Sequence, residues 1–189
     1  MKCYIYCTKA KPYLWKYHCI SDDYNGNSFE TSYSKEEHDS TDDGEILNGQ
    51  IVASFDLNKA EKMFIEYEKG WVTSSGLNIN DIENKSKVSR SNLYKYKGNS
   101  KYLYAWHIEN LEILDKPKDI NSFWTRKVTD KWGITSKDMI MKAPQSWCYA
   151  ELEGHNCIII SIKPEWVCKI LNGEKTIEVR KTAPKELIK

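Results

Sequence analysis

Residues 157–181 read CIIISIKPEWVCKILNGEKTIEVRK, and the string divides into three elements. Cys157 to Lys163 is a run of β-branched residues and predicts a strand. Pro164 suits the first turn of a helix and Gly173 stands just past its last residue, so residues 164–173 predict a short helix. Trp166, Val167, Ile170 and Leu171 share one face of it, which fits Trp166 equally as a core residue or as a ligand platform. Residues 175–181, KTIEVRK, then alternate as a second strand, with Glu178 and Arg180 on one side.

Outward from this unit, further strands are predicted at CYIYCT (3–8), QIVASF (50–55), YLYAWHIENLEIL (102–114) and WCYAEL (147–152). From Asp56 the apolar residues Leu57, Ala60, Met63, Phe64 and Tyr67 fall at helical spacing, with Gly70 to end the run, which predicts a helix of about three turns. A second helix is predicted over Ser89–Tyr96, after the polar stretch TSSGLNINDIENKSK (73–87), which reads as a loop. About six strands with short flanking helices predict an α+β fold, a small closed or partly open β-barrel formed by a single domain over residues 1–189.

At 189 residues, 40% of them hydrophobic, the chain is long enough to bury a core without a disulfide or metal. Its longest apolar run, Ile158–Ile160, is far short of the ~20 residues of a membrane helix. Lys9 and Lys11 interrupt the N-terminal apolar region too early for a secretion signal, and a cytoplasmic location is expected. Six cysteines, several beside aromatic or β-branched residues, fit core thiols. Their spacing offers no four-ligand metal set, GEKT (173–176) lacks the earlier glycine of a phosphate-binding loop, and no cofactor is expected.

The net charge of +1 conceals segregation along the chain. Residues 1–20 hold Lys2, Lys9, Lys11 and Lys16 and no acid, and residues 155–189 carry a net +3. Residues 21–49 carry nine acids against Lys35 alone and read as an acidic loop insertion. If the two basic ends meet in the fold they form a patch suited to a phosphate backbone; otherwise the lysines are solvated surface.

The segment ISIKPEWVCKILNGEKTIEVRKTAPKE (160–186), with CYIYCTKAKPYL (3–14), KYLYAWHIENLEILDKPKDI (101–120) and KAPQSWCYAEL (142–152), resembles the ASCH (activating signal cointegrator homology) domain of the PUA-like superfamily. In that family the ISIKPEW unit opens the domain, whereas here it comes last, so the order looks circularly permuted. Residues 153–156 would then link the old C- and N-terminal ends. A gene-boundary artefact, or a homodimer exchanging the 155–189 unit, fits the same order.

The resemblance implies a cleft lined by Lys163, Lys175, Thr176, Glu178, Arg180 and Lys181. Lysine and arginine suit phosphate, Arg180 also suits a base edge, and Glu178 suits an exocyclic amine; a surface ion pair is the plain alternative. Tyr4, Tyr6, Trp106, His107 and Trp147 lie on predicted strands, where an aromatic either stacks on a base or fills the core. Lys9 of the basic N-terminal segment would contact phosphate. Gln145 and Ser146 stand at a strand entry, either bonding a ligand or forming a turn.

Certain small proteins of the family resemble acetylcytidine amidohydrolases with a Lys-Thr-x-Thr-x-Arg motif. Here the stretch is Lys175-Thr176-Ile177-Glu178-Val179-Arg180, with glutamate in place of the second threonine. The leading expectation is therefore a module that binds RNA or a modified nucleotide in a basic cleft. The alternatives are an amidohydrolase or ribonuclease with Lys175 and Glu178 as its catalytic pair, or a regulatory protein-interaction domain acting through the acidic insertion.

Overall fold

The computed structural model describes residues 1–8, 49–125, 128–129 and 135–188. The acidic insertion, except Gly49, and with it Lys9, lies outside the described residues. In chain order the strands are β1 (Lys2–Cys7), β2 (Gln50–Asp56), β3 (Ala60–Glu66) and β4 (Gly70–Thr73), followed by helices α1 (Ile79–Ser86) and α2 (Arg90–Lys97). Then come β5 (Leu103–His107), β6 (Glu109–Lys118) and three two-residue strands, β7 (Trp124–Thr125), β8 (Val128–Thr129) and β9 (Thr135–Ser136). The chain continues through β10 (Trp147–Leu152), β11 (His155–Ile162), α3 (Pro164–Leu171) and β12 (Ile177–Arg180).

The fold is α+β, with two main sheets, one in the order β6-β2-β1-β11-β10-β7 and the other β12-β5-β3-β4. Their ladders are open at both ends among the described residues. Strand β1 runs parallel to β11, with Cys3 opposite Ile158 and Cys7 opposite Ile162. The chain passes between the sheets at Asp56–Ala60, at Ile108, and through α3.

Alternation on these strands builds layers. One face of the six-stranded sheet (Cys3, Ile5, Phe55, Ile158, Ile160) packs with Ala60 and Trp106 of the four-stranded sheet and with Val167 and Ile170 of α3. The far face of the four-stranded sheet (Met63, Leu103, Ala105, Ile177, Val179) takes Ile82 of α1 and Leu93 of α2. The far face of the six-stranded sheet (Tyr6, Ile159, Ala150) is covered by Phe123 and Ile140. Each wholly buried leucine or isoleucine contributes about 1.5–3 kcal/mol to this core.

The predicted helix over 56–70 is a strand hairpin instead. Glu66 pairs with Gly70 around the turn 67–69, and Gly70 has φ +71°, so it closes a hairpin rather than a helix. β3 is buried from both sides, Ala60 against one sheet partner and Met63 against the helices, which hides the two-residue period; Tyr67, assigned to the apolar face, is fully exposed. The polar stretch read as a loop contains α1, capped by the Asn78 side chain, which accepts from the Asn80 N–H at 2.9 Å. The single strand predicted over 102–114 is divided at Ile108 between the two sheets.

In the 153–156 link, Glu153 and Gly154 both have positive φ and form a two-residue hairpin turn, while His155 and Asn156 already belong to β11. The Leu57 N–H donates to the Met1 carbonyl, and Ile188 bridges to Ala60, so the first and last described residues sit against one short segment. Among the described residues no helix is long and apolar enough to cross a membrane.

Candidate functional site

Three ionic side chains from the last strand unit meet between the two sheets. β12 pairs antiparallel with β5, setting Glu178 opposite Trp106 and Arg180 opposite Tyr104, so Glu178 and Arg180 share the face turned to the six-stranded sheet. Lys175 precedes β12, anchored by its own N–H on the Lys169 carbonyl of α3. Its side chain is 1% exposed, against 11% for each of Glu178 and Arg180. The surface ion pair considered from the sequence is thus a buried network.

The Lys175 ammonium donates to the Ser86 carbonyl at 2.6 Å and to the Ile177 carbonyl at 2.8 Å, and lies 3.2 Å from Glu178 Oε2. It also sits 5.2 Å from the centre of the Trp166 ring. An ammonium has three donors, and these partners occupy them all. Burial pushes the Lys175 pKa below the usual lysine value, outweighing the pull of Glu178.

Arg180 is held differently. Its Nη2 donates to the Ser161 carbonyl at 2.7 Å, and its Nη1 reaches Ser146 Oγ only at 3.5 Å. Nε lies 3.0 Å from Glu178 Oε1, close enough for charge attraction, yet its N–H is not aimed at an acceptor among the described residues. Of five guanidinium donors, one makes a short bond and one a long bond to described residues. Among the described residues, two cations and one carboxylate leave this buried network with a net +1.

Around it, the Trp147 indole N–H donates to Thr182 Oγ1 at 2.9 Å, and the Trp147 ring lies 5.6 Å from that of Trp106. Tyr96 of α2 feels both Arg180 and Glu178, and burial raises its phenol pKa. Lys181 is exposed, its ammonium 5.2 Å from the centre of the Tyr96 ring.

Of the residues singled out from the sequence, the structure brings Lys175, Glu178, Arg180 and Ser146 together, with Lys181 at the edge. Thr176 is exposed and works through its backbone, its N–H donating to the Lys85 carbonyl. Lys163 is exposed at the start of α3, 3.9 Å from Glu165. Gln145 is exposed beside Ser146. Trp106 is wholly buried and fills the core, while Tyr6 is buried on the far face of the six-stranded sheet.

Sequence reading missed the Ser86 and Ser161 carbonyls, since a backbone acceptor leaves no trace in residue type, and Tyr96, which sat on a helix read for its existence alone. It also missed a second polar cluster. Glu61 of β3 is 1% exposed and accepts from Lys59 and Ser75, with His107 Nε2 at 2.9 Å. Burial raises the Glu61 pKa, but the hydrogen bonds from Lys59 and Ser75 and the charges around it outweigh that and leave it lowered. Its signal was a glutamate and a histidine at inward positions of adjacent strands.

Among the described residues no group of three histidine, cysteine or carboxylate side chains is placed to hold a metal ion. No protein-family model, curated protein or solved structure matches the chain.

Proposed function

We propose that the chain is a recognition module for RNA or a modified nucleotide, with the Arg180 site as the point where an anionic group or base edge is held. The observation that carries this reading is the buried net charge of +1 combined with the unspent donors of Arg180. A guanidinium that is nine-tenths buried with an unaimed Nε and a long Nη1 contact favours an incoming acceptor, and phosphate or a base edge has the matching geometry. Lys175 and Glu178 argue against the hydrolase alternative. The lysine donors are all engaged, and each Glu178 oxygen faces a cation, so neither is poised to move a proton.

The same reading takes the frame as a PUA-like barrel of the ASCH type in permuted order. The three passages between sheets support it, because strands that switch sheets are how barrel corners are made. The two-residue hairpin joining β10 to β11 and the parallel β1–β11 ladder support closure within one chain rather than exchange between two. They also set the N-terminal strand beside the C-terminal unit.

The test is incubation of the protein with a mixed set of modified nucleosides, nucleotides and short RNAs, followed by mass spectrometry of what is retained and what is consumed. Retention without consumption is expected, weakening as salt rises and lowered in Arg180→Lys and Ser146→Ala at unchanged circular dichroism. Turnover abolished by Lys175→Ala would move the reading to the hydrolase. Retention indifferent to salt and to both variants would refute it.

A further inference from the structure

Residues 84–108 hold six lysines and arginines, four tyrosines and no acid. Of the six, Arg90 alone has a carboxylate partner among the described residues, Glu83 at 2.8 Å. Elsewhere on the molecule lysines meet carboxylates, as at Lys2–Glu112, Lys69–Glu66 and Lys137–Glu151. At this end of the four-stranded sheet they meet tyrosine rings. The ammoniums of Lys62 and Lys101 both converge on Tyr102, at 4.5 and 5.2 Å from the ring centre, and Lys181 lies over Tyr96. Two ammonium groups drawn to one ring, with no carboxylate paired to either among the described residues, are a site for an anion.

The ladder register connects this end to Arg180. Arg180 is opposite Tyr104 on β5, and Tyr104 is opposite Lys62 on β3, so the three form one row across the sheet, and Tyr102 is on the Tyr104 side of the alternation. Strand spacing places Lys62 about 10 Å from Arg180. On the other side Tyr96, 40% exposed, has the Lys181 ammonium over its ring and is near enough to Arg180 to feel its charge.

We propose that this ledge carries a single-stranded nucleic acid onward from the Arg180 site, with phosphates at Lys62, Lys101 and Lys181 and a base stacked on Tyr96. It rests on the nucleotide-recognition reading and adds a path for the neighbouring residues of the strand. Alternating cations and aromatic faces suit a strand that has both phosphates and unstacked bases, whereas an acidic polypeptide would use the cations alone.

The experiment is fluorescence anisotropy with a labelled RNA strand of about 12 nucleotides, run as a salt series beside a nucleoside monophosphate and polyglutamate. The triple variant Lys62→Gln, Lys101→Gln, Lys181→Gln removes only surface charge. It should flatten the slope of log affinity against log salt by about 2 for the strand, at roughly 0.7 per phosphate contact. Tyr96→Ala should weaken the strand roughly tenfold, and the double variant Lys62→Gln, Lys101→Gln, which leaves every side chain around Arg180 in place, should not change monophosphate binding. An unchanged slope in the triple variant, or polyglutamate binding as tightly as RNA, overturns the ledge. Monophosphate binding lost in Arg180→Lys but kept in the Lys62→Gln, Lys101→Gln double variant would leave the recognition site standing even then. A flattened slope with no monophosphate bound to the wild type would support the ledge and refute the buried site.

Discussion

Replacing Glu178 with glutamine keeps the side-chain shape and removes the one negative charge between Lys175 and Arg180. The cations lie 3.2 and 3.0 Å from its two oxygens, so at an effective dielectric constant near 20 each attraction is about 5 kcal/mol gross. Much of that offsets the desolvation of the three groups, and removing one partner of a buried pair leaves a net loss of about 3–5 kcal/mol. Here the loss should sit at the upper end, because Glu178→Gln leaves two buried cations rather than one. Lys175→Met, by contrast, leaves a neutral Glu178–Arg180 pair and two carbonyls, those of Ser86 and Ile177, without their donor. Urea unfolding followed by tryptophan fluorescence, with the double variant to close the cycle, gives all three values. Glu178→Gln is expected to be the more destabilising single change, and the double variant less so than the two added together. A Glu178→Gln loss under about 1 kcal/mol, the range of solvated pairs, would refute the buried network and with it the charge argument for an anionic ligand.

Alkaline stability should fall from about pH 9 upward. Burial raises the Cys157 thiol from 9.0 to about 12 and lifts Cys3 in the same direction, so the unfolded chain ionises first and the protection they give is lost across that window. Urea midpoints between pH 8 and 10.5 should fall less steeply in Cys157→Ala. On the acid side, the lowered pKa of Glu61 gives stability that is present above 4.5 and lost as pH falls through its folded value. Glu61→Gln should cost about 2 kcal/mol at neutral pH and flatten the acid limb of the same measurement.

The legible parts of the chain were those whose residue types fit one element only. Residues 157–181 spelled strand, helix and strand because β11 is a short β-branched run buried on both faces, β12 alternates ionic with apolar side chains, and Pro164 and Gly173 punctuate α3 between them. The run from Asp56 was illegible because its residues fit two elements. Burial of β3 by two different layers put Ala60, Met63 and Phe64 at a spacing that imitates a helix, and Gly70 serves a helix end and a hairpin equally. The α1 helix was hidden by its polarity, although Asn78 followed by Asp81 is a helix-start signal that could have been used. At the site, alternation placed Glu178 and Arg180 together, but their burial depends on which layer covers them. Residue type alone could not tell a solvated Lys175 from one holding two carbonyls.

The placement of the charges follows from how the last unit crosses the fold. β11 belongs to the six-stranded sheet and β12 to the four-stranded sheet, and α3 carries the chain between them. A side chain at the start of β12 therefore lies where the layers converge, and it can reach the end of α1, through Ser86, and the end of β11, through Ser161. Apolar residues at these positions would pack, but they would leave the Ser86, Ile177 and Ser161 carbonyls without donors. Lys175 supplies two of those donors and Arg180 the third, and Glu178 lowers the repulsion between the cations. A lysine, a glutamate and a neutral donor would have closed that accounting with no net charge. The excess positive charge at Arg180, the member of the network with donors to spare, is the part that structural support leaves unexplained and that an anionic ligand explains.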